Sequence, residues 1–235
     1  SIHDFTKIDL GELRLTKKGF NLRDSLESIS LPFKVECELK GLSLGLEIKD
    51  NVPSWINCDE LALKQVIDNL LNNALKFTKE GHIEICVQAD YLKSGKGSSG
   101  GDLKKYTLSI FVFDTGIGIS SEKLASIGTE PFSQFHKTDQ FEERGSGLGL
   151  YISKKIIKKL GGEFSVNSTL GKGSIFSISL PVTEVSKIEE NLRKRSVAVY
   201  DFSGESILIA DDIPQNIELY KAYLSPYNLK ISKVW

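Results

Sequence analysis

The chain has 235 residues, which suits one or two domains with a sizeable core. Hydrophobic content of 40% and charged content of 26% describe a soluble globular protein. The formal net charge of −1 provides no bulk field for nucleic acid or an anionic membrane, so any nucleotide must be gripped by local groups. No apolar run has the length needed to cross a bilayer. Cys37, Cys58 and Cys86 are scattered without metal spacing and read as buried reduced thiols. The chain has no Met and starts at Ser1 in what reads as mid-helix, which marks it as a piece of something longer.

Ser1 to Glu12 reads as the last turns of a helix plus a linker, and Glu12 to Thr16 as a short strand. Asn21 is an N-cap candidate for a helix that places Leu22, Leu26 and Ile29 at helical spacing. Pro32 is expected to kink that helix or to end it. Ser43 to Ile48 alternates like a half-buried strand, and Val52 to Asn57 reads as a turn. Asp59 is positioned to cap the next helix, Glu60 to Phe77, whose apolar face is Leu61, Leu63, Val66, Ile67, Leu70, Leu71, Ala74 and Leu75. Asn69, Asn73 and Lys76 fall at i, i+4 and i+7, so they stack along one line of that helix. Asn costs a few tenths of a kcal/mol at a mid-helix position. Such a line is either a solvated stripe or the lining of a shared polar object.

Two strands follow, His82 to Tyr91 and Tyr106 to Phe113, with a Gly/Ser-rich loop from Lys93 to Asp102 between them. The G-K-G-S in that loop lacks the spacing of a phosphate-binding P-loop. The second strand runs into Asp114-Thr-Gly116-Ile-Gly118, an acid with two glycines where backbone must come close to something. Ser120 to Arg144 is a long loop. Gly145-Ser146-Gly147-Leu148-Gly149-Leu150 leads into a helix over Leu148 to Leu160, whose first N–H groups suit an anion. Strands at Glu163 to Ser168 and Ser174 to Leu180 flank the turn Gly171-Lys-Gly173. Thr183 to Ser203 is charged and reads as a linker. A strand from Glu205 ends in Asp211 and Asp212, an amphipathic helix covers Ile213 to Leu224, and Leu229 to Val234 alternates like a second strand.

Taken together and in this order, Asn69 to Thr78, Asp114 to Gly118 and Gly145 to Leu150 resemble the N, G1 and G2 boxes of the histidine-kinase ATP-binding domain. The resemblance covers roughly Phe20 to Val182. It implies an α/β fold: a two-layer sandwich with a mixed, mainly antiparallel sheet under a layer of helices. It implies ATP and Mg2+ as cofactors. Asn73 is then the Mg2+ ligand, Asn69 a phosphate contact and Lys76 a partner for phosphate charge. Asp114 accepts from the adenine amine, Gly116 and Gly118 allow the base to approach, and Ile117 and Ile119 form an apolar wall. Gly145, Ser146, Gly147, Leu148, Gly149 and Leu150 hold the triphosphate, and Ser174 touches the adenine site through water. Ser120 to Arg144 resembles the ATP lid, with Glu130 to Phe135 as its F box and Lys137 as the nearest match to the cation that reaches the γ-phosphate.

The ends resemble neighbouring parts of such kinases. Ser1 to Glu12 is similar to the end of a dimerisation helix, although His3 lacks the register of a phosphoacceptor. Glu205 to Trp235 resembles the first β-α-β of a response-regulator receiver domain, where Asp211 and Asp212 would help to hold Mg2+. The implied organisation is a dimerisation-helix end and linker at 1–19, the catalytic domain at 20–182, a linker at 183–204 and a receiver fragment at 205–235. The resemblance implies a cytoplasmic part of a hybrid sensor histidine kinase, a homodimer at full length, whose partners are its own histidine-containing dimerisation domain and a receiver domain or response regulator. Two alternatives stand beside it: another ATPase of the wider gyrase, chaperone and MutL family, or a degenerate interaction module that binds no ATP.

Overall fold

The computed structural model describes residues 14–96, 102–124, 127, 148–185, 205–210, 217, 224 and 230–234. They fall into two compact units, divided between residues 190 and 191. The first holds strands β1 (Lys18–Asn21), β2 (Ser43–Ile48), β3 (Trp55–Cys58), β4 (His82–Lys96), β5 (Asp102–Asp114), β6 (Glu163–Thr169) and β7 (Gly173–Glu184). Its helices are α1 (Leu22–Leu39), α2 (Glu60–Phe77), the short α3 (Ser121–Leu124) and α4 (Gly149–Lys159).

The sheet runs in the order β1-β3-β7-β5-β4-β2, with β6 also paired to β7. All pairs are antiparallel except β2 with β4. This is the mixed, mainly antiparallel sheet expected from the sequence. One sheet face carries Ile83, Ile85 and Val87 on β4, Leu108, Ile110 and Val112 on β5, and Phe176, Ile178 and Leu180 on β7, all buried. The period-2 alternation of each strand puts these residues on one side. Against them lie Leu63, Val66, Ile67, Leu70, Leu71 and Ala74 of α2, Leu22, Leu26 and Ile29 of α1, and Ile152, Ile156 and Ile157 of α4. Each such side chain contributes about 1.5–3 kcal/mol on burial.

The structure departs from the sequence reading in several places, among them the helix α3 (Ser121–Leu124) inside the segment read as a long loop. Residues 14–17 are not strand; the strand is β1, which begins at Lys18. The segment read as a turn contains β3, which pairs with both β1 and β7. Helix α1 neither breaks nor stops at Pro32 but continues to Leu39. Leu61 is 79% exposed and lies outside the buried face of α2. It shares its side of the helix with Lys64, Asp68 and Asn72, three and four residues apart in turn. Both ends of the Gly/Ser-rich loop are strand: β4 extends to Lys96 and β5 starts at Asp102, with a register shift between Tyr91 and Lys93, and residues 97–101 lie outside the described residues. Of the cysteines, Cys37 and Cys58 are buried, whereas Cys86 is half-buried with its Sγ 3.6 Å from Glu47 Oε2.

In the second unit β8 (Ser206–Ala210) and β9 (Lys230–Val234) pair in parallel, Ser206 opposite Lys230 and Ala210 opposite Val234. A parallel pair needs a crossover between its strands. Ile217, within that crossover, is helical and fully buried.

Asn21 caps α1 by accepting from the N–H groups of Arg23 and Asp24. Pro32 sits exposed in the interior of the same helix, where it offers no N–H to the turn before it. Pro32→Ala is therefore expected to raise stability by roughly 1–3 kcal/mol, read as a higher urea midpoint at unchanged m-value.

Candidate functional site

Helix α2 is fixed at its start by Asp59, whose Oδ1 accepts the Ala62 N–H at 2.9 Å and whose Oδ2 accepts the Thr16 N–H at 2.5 Å. Both carboxylate oxygens of this buried acid are thus engaged. Further along, Asn69, Asn73 and Lys76 are all half-buried. The Asn69 amide donates to the Gly149 carbonyl at 3.3 Å and to the Ser153 hydroxyl at 3.2 Å, tying α2 to the first turn of α4. Lys76 Nζ lies 5.5 Å from the Phe77 ring centroid. The line predicted from the spacing is therefore neither core nor open surface.

At the far end of α2 the Phe77 carbonyl accepts the Ile117 N–H at 3.1 Å. Thr78 caps the helix through its N–H to the Ala74 carbonyl, and its buried hydroxyl has no hydrogen-bond partner among the described residues. Thr115 Oγ1 accepts the His82 N–H at 2.9 Å, and its own proton reaches the carbonyl of Glu80 or His82, each 3.2 Å away. These bonds fix the Asp114–Ile119 loop against the end of α2 and the start of β4. His82, at that strand start, packs its ring on Phe113 with centroids 5.3 Å apart.

Asp114 ends β5 and is only 3% exposed. Its Oδ1 accepts the Gly116 N–H at 2.9 Å. The strand register sets Asp114 opposite Ser174, and the Ser174 N–H and hydroxyl also donate to the carboxylate. Burial pushes the Asp114 carboxyl above its ordinary value, while the bonds from Gly116 and Ser174 pull it down. A Cβ at Gly116 would lie 2.4 Å from the Phe77 carbonyl oxygen and 2.8 Å from Asp114 Oδ1. Gly118 has φ +65°, and a Cβ there would stand 2.0 Å from the Thr169 carbonyl oxygen. Both positions therefore require glycine.

Leu148, at the N-cap of α4, makes no side-chain cap bond. The first-turn N–H groups, including those of Gly149 and Leu150, receive no acceptor from that residue. Leu148 is buried, and Ile119 and Leu150 are half-buried against the core. Direct contacts join Asn69 to Gly149 and, as a separate set, Asp114 to Gly116 and Ser174. Lys137, Gly145, Ser146, Gly147, Asp211 and Asp212 lie outside the described residues, as does His3.

Sequence reading missed Thr115, Ser153 and Ser168 as parts of this arrangement. Ser168 was within reach: the short turn at Gly171 to Gly173 makes its hairpin register with Ser174 an inference from loop length.

Residues 58–184 match the family of histidine kinase-, DNA gyrase B-, and HSP90-like ATPases. The chain belongs to this family. The autoinducer 2 sensor kinase/phosphatase LuxQ of Vibrio vulnificus strain YJ016 is 35% identical over 99% of the chain, which covers 26% of that protein. The sensor histidine kinase GacS of Pseudomonas protegens is 37% identical over 81% of the chain and 20% of that protein. The chain thus spans about a quarter of the length of the first curated relative it matches. Full-length ShkA, solved with AMPPNP, superimposes with a TM-score of 0.61 at 20% identity, over 99% of this chain and 44% of that one. The fold is that of histidine-kinase catalytic domains. No helix among the described residues is long and apolar enough to cross a membrane.

The sign of the Asp114 shift has a measurable consequence in the ATPase-family fold. A carboxyl raised in the folded state holds its proton there at pH values where the unfolded chain has released it. The contribution of Asp114 to stability is therefore greatest below the ordinary carboxylate value and falls as pH rises through the raised one. Denaturation of wild type and Asp114→Asn across acidic to neutral pH is expected to show the stability of wild type, relative to the variant, declining with rising pH.

Proposed function

We propose that residues 20–182 are the Mg-ATP-binding catalytic domain of a hybrid sensor histidine kinase. The reaction moves the ATP γ-phosphoryl group to a nitrogen of a histidine outside this chain, and a receiver aspartate then takes it. The observation that carries this reading is the buried Asp114 carboxylate beside Gly116 and Ser174. It is an acceptor at the start of a loop whose glycines, Gly116 and Gly118, let the backbone pack against the Phe77 and Thr169 carbonyls. The adenine exocyclic amine donates to such an acceptor, whereas guanine presents a carbonyl there.

The remaining groups fit a triphosphate. Leu148, the N-cap of α4, supplies no side-chain cap bond, and a helix N-terminus favours phosphate. Gly145, Ser146, Gly147, Leu148, Gly149 and Leu150 form the proposed phosphate loop, with Asn69 at its edge through Gly149. Asn73 would hold Mg2+ through its carboxamide oxygen, the rest of the shell coming from phosphate oxygens and water. Bound there, the cation would neutralise triphosphate charge. Lys76 and Lys137 would add positive charge. Phosphoryl transfer is governed by positioning and charge neutralisation, so these residues act chiefly as binders.

The other ATPases of the family activate water with an acid early in the corresponding helix. Of the acids early in α2, Asp59, Glu60 and Asp68, the N-cap Asp59 spends both oxygens on the Ala62 and Thr16 N–H groups, which supports its reading as a cap and not a base. The parallel β8–β9 pair, with β8 ending immediately before Asp211 and Asp212, supports residues 205–235 as the start of a receiver domain, joined by a linker at 183–204. The proposed partners are the histidine-containing dimerisation domain of the parent kinase, a homodimer at full length, and a receiver or response regulator.

Calorimetric titration of ADP, ATP and GTP with and without Mg2+ tests the reading. Wild type is expected to bind the adenine nucleotides and not GTP. Asp114→Asn should weaken ADP binding by roughly ten- to a hundredfold, the worth of about 1.5–3 kcal/mol for a charge-assisted hydrogen bond. Asn73→Ala should remove the gain from Mg2+ and spare the adenine term. A supplied dimerisation domain should become labelled from [γ-32P]ATP. Absence of adenine-nucleotide binding by wild type would overturn the reading in favour of a non-catalytic interaction module.

A further inference from the structure

Ser168 lies near the end of β6, directly opposite Ser174 in the β6–β7 register. Its half-buried hydroxyl accepts the Ile119 N–H at 2.8 Å. It also lies 2.8 Å from the Gly173 carbonyl oxygen and 3.0 Å from the Ser174 hydroxyl. One oxygen therefore joins the loop leaving Asp114, the turn into β7, and the residue that donates to Asp114. A serine hydroxyl has one proton and two acceptor positions. When Ser174 donates to Asp114, the Ser168 proton goes to Gly173 or to Ser174, and one Ser168 acceptor position holds the Ile119 N–H. Asp114 and Ile119, the two ends of the glycine loop, are thus referred to the same pair of hydroxyls.

We propose that Ser168 is a positioning residue of the nucleotide site, which sets Ile119 at a fixed distance from the Asp114–Ser174 pair without touching the nucleotide. The inference rests on the adenine-nucleotide reading above. Gly116 and Gly118 make the intervening loop permissive, so its far end needs an anchor. Phe77 anchors the middle through Ile117, and Ser168 anchors the end. A serine that only stabilised the hairpin would affect melting and leave affinity alone. A serine that positions the loop affects affinity even where the fold is intact.

The test is ADP titration into the full chain as wild type, Ser168→Ala and Ser168→Thr, with the melting temperature of each unliganded protein. Ser168→Ala should weaken ADP binding roughly tenfold, the worth of one ordinary hydrogen bond. Ser168→Thr, which keeps the hydroxyl on a strand, should restore most of it. Amide exchange on wild type gives a readout that needs no variant: ADP should slow exchange at Ile119, with Ile117 as the internal reference. Ala and wild type binding ADP equally would overturn the role of Ser168 and leave the nucleotide reading intact. So would a Thr variant as weak as Ala, or an Ile119 amide indifferent to saturating ADP. Wild type failing to bind ADP would overturn both, and is told apart by the first titration. If Ser168→Ala does not fold, the Ile119 exchange decides the matter alone.

Discussion

A carboxylate buried at the end of the central strand is the constraint on which the rest of this fold depends. Asp114 is 3% exposed, and taking a charge out of water costs several kcal/mol unless donors replace the solvent. Here the donors are the N–H of Gly116 and the N–H and hydroxyl of Ser174. None is supplied by chance. The Gly116 N–H reaches back because the chain turns tightly against Phe77. Ser174 arrives because β7 pairs with β5 in a register that sets it opposite Asp114. A slip of one residue would turn every side chain of β7 to the other sheet face, with Phe176, Ile178 and Leu180 leaving the core. The apolar packing therefore fixes the polar contact.

Helix α2 carries that constraint to the other parts of the site. Its buried face locks it to the sheet, so the polar line beside that face has little freedom to move. Asn is unfavourable within a helix by a few tenths of a kcal/mol. Asn69 recovers this through two hydrogen bonds to α4. The same helix holds the Asp114 loop through the Phe77 carbonyl and takes in the N-terminal segment through Asp59 and Thr16. One rigid element thus ties the Asp114 loop and the start of α4 to the same helix.

The parts legible in the sequence are those whose signal is local. The buried face of α2 and its N-cap follow from 3.6-residue spacing and a single Asp, and the acid-glycine loop is visible because no other residue type tolerates its backbone. Where the outcome depended on partners distant in sequence, the reading failed. The four residues of β3 follow Pro53 and show no long alternation; they are strand because β1 and β7 lie on either side. Pro32 remains helical because Ile29 and Phe33 are buried around it and hold the helix together. The hairpin extension through Lys96 and Asp102 runs through loop-like composition, yet the ladder of the preceding strands continues into it. Leu61 joins the apolar face by residue type, although its angular position on α2 belongs with Lys64 and Asn72. Ser168 has no periodic signature and becomes visible only once the hairpin register is known.

Fold alone does not assign chemistry to this sheet and its helices; the proposed adenine site rests on the acceptor at Asp114. A buried acid with only uncharged donors around it is held at a cost in the free protein, and burial moves its carboxyl upward accordingly. A ligand that brings a further N–H donor to the carboxylate reduces that cost on binding. A ligand that brings a carbonyl oxygen sets acceptor against acceptor and increases it. Discrimination between two bases of similar shape then comes from a buried polar group left unmatched, a stronger source of selectivity than any difference in apolar contact. On the proposed adenine reading, the uncharged surroundings of Asp114 among the described residues would add to the specificity: a cation beside it would stabilise the unliganded acid and reduce what an amine could add.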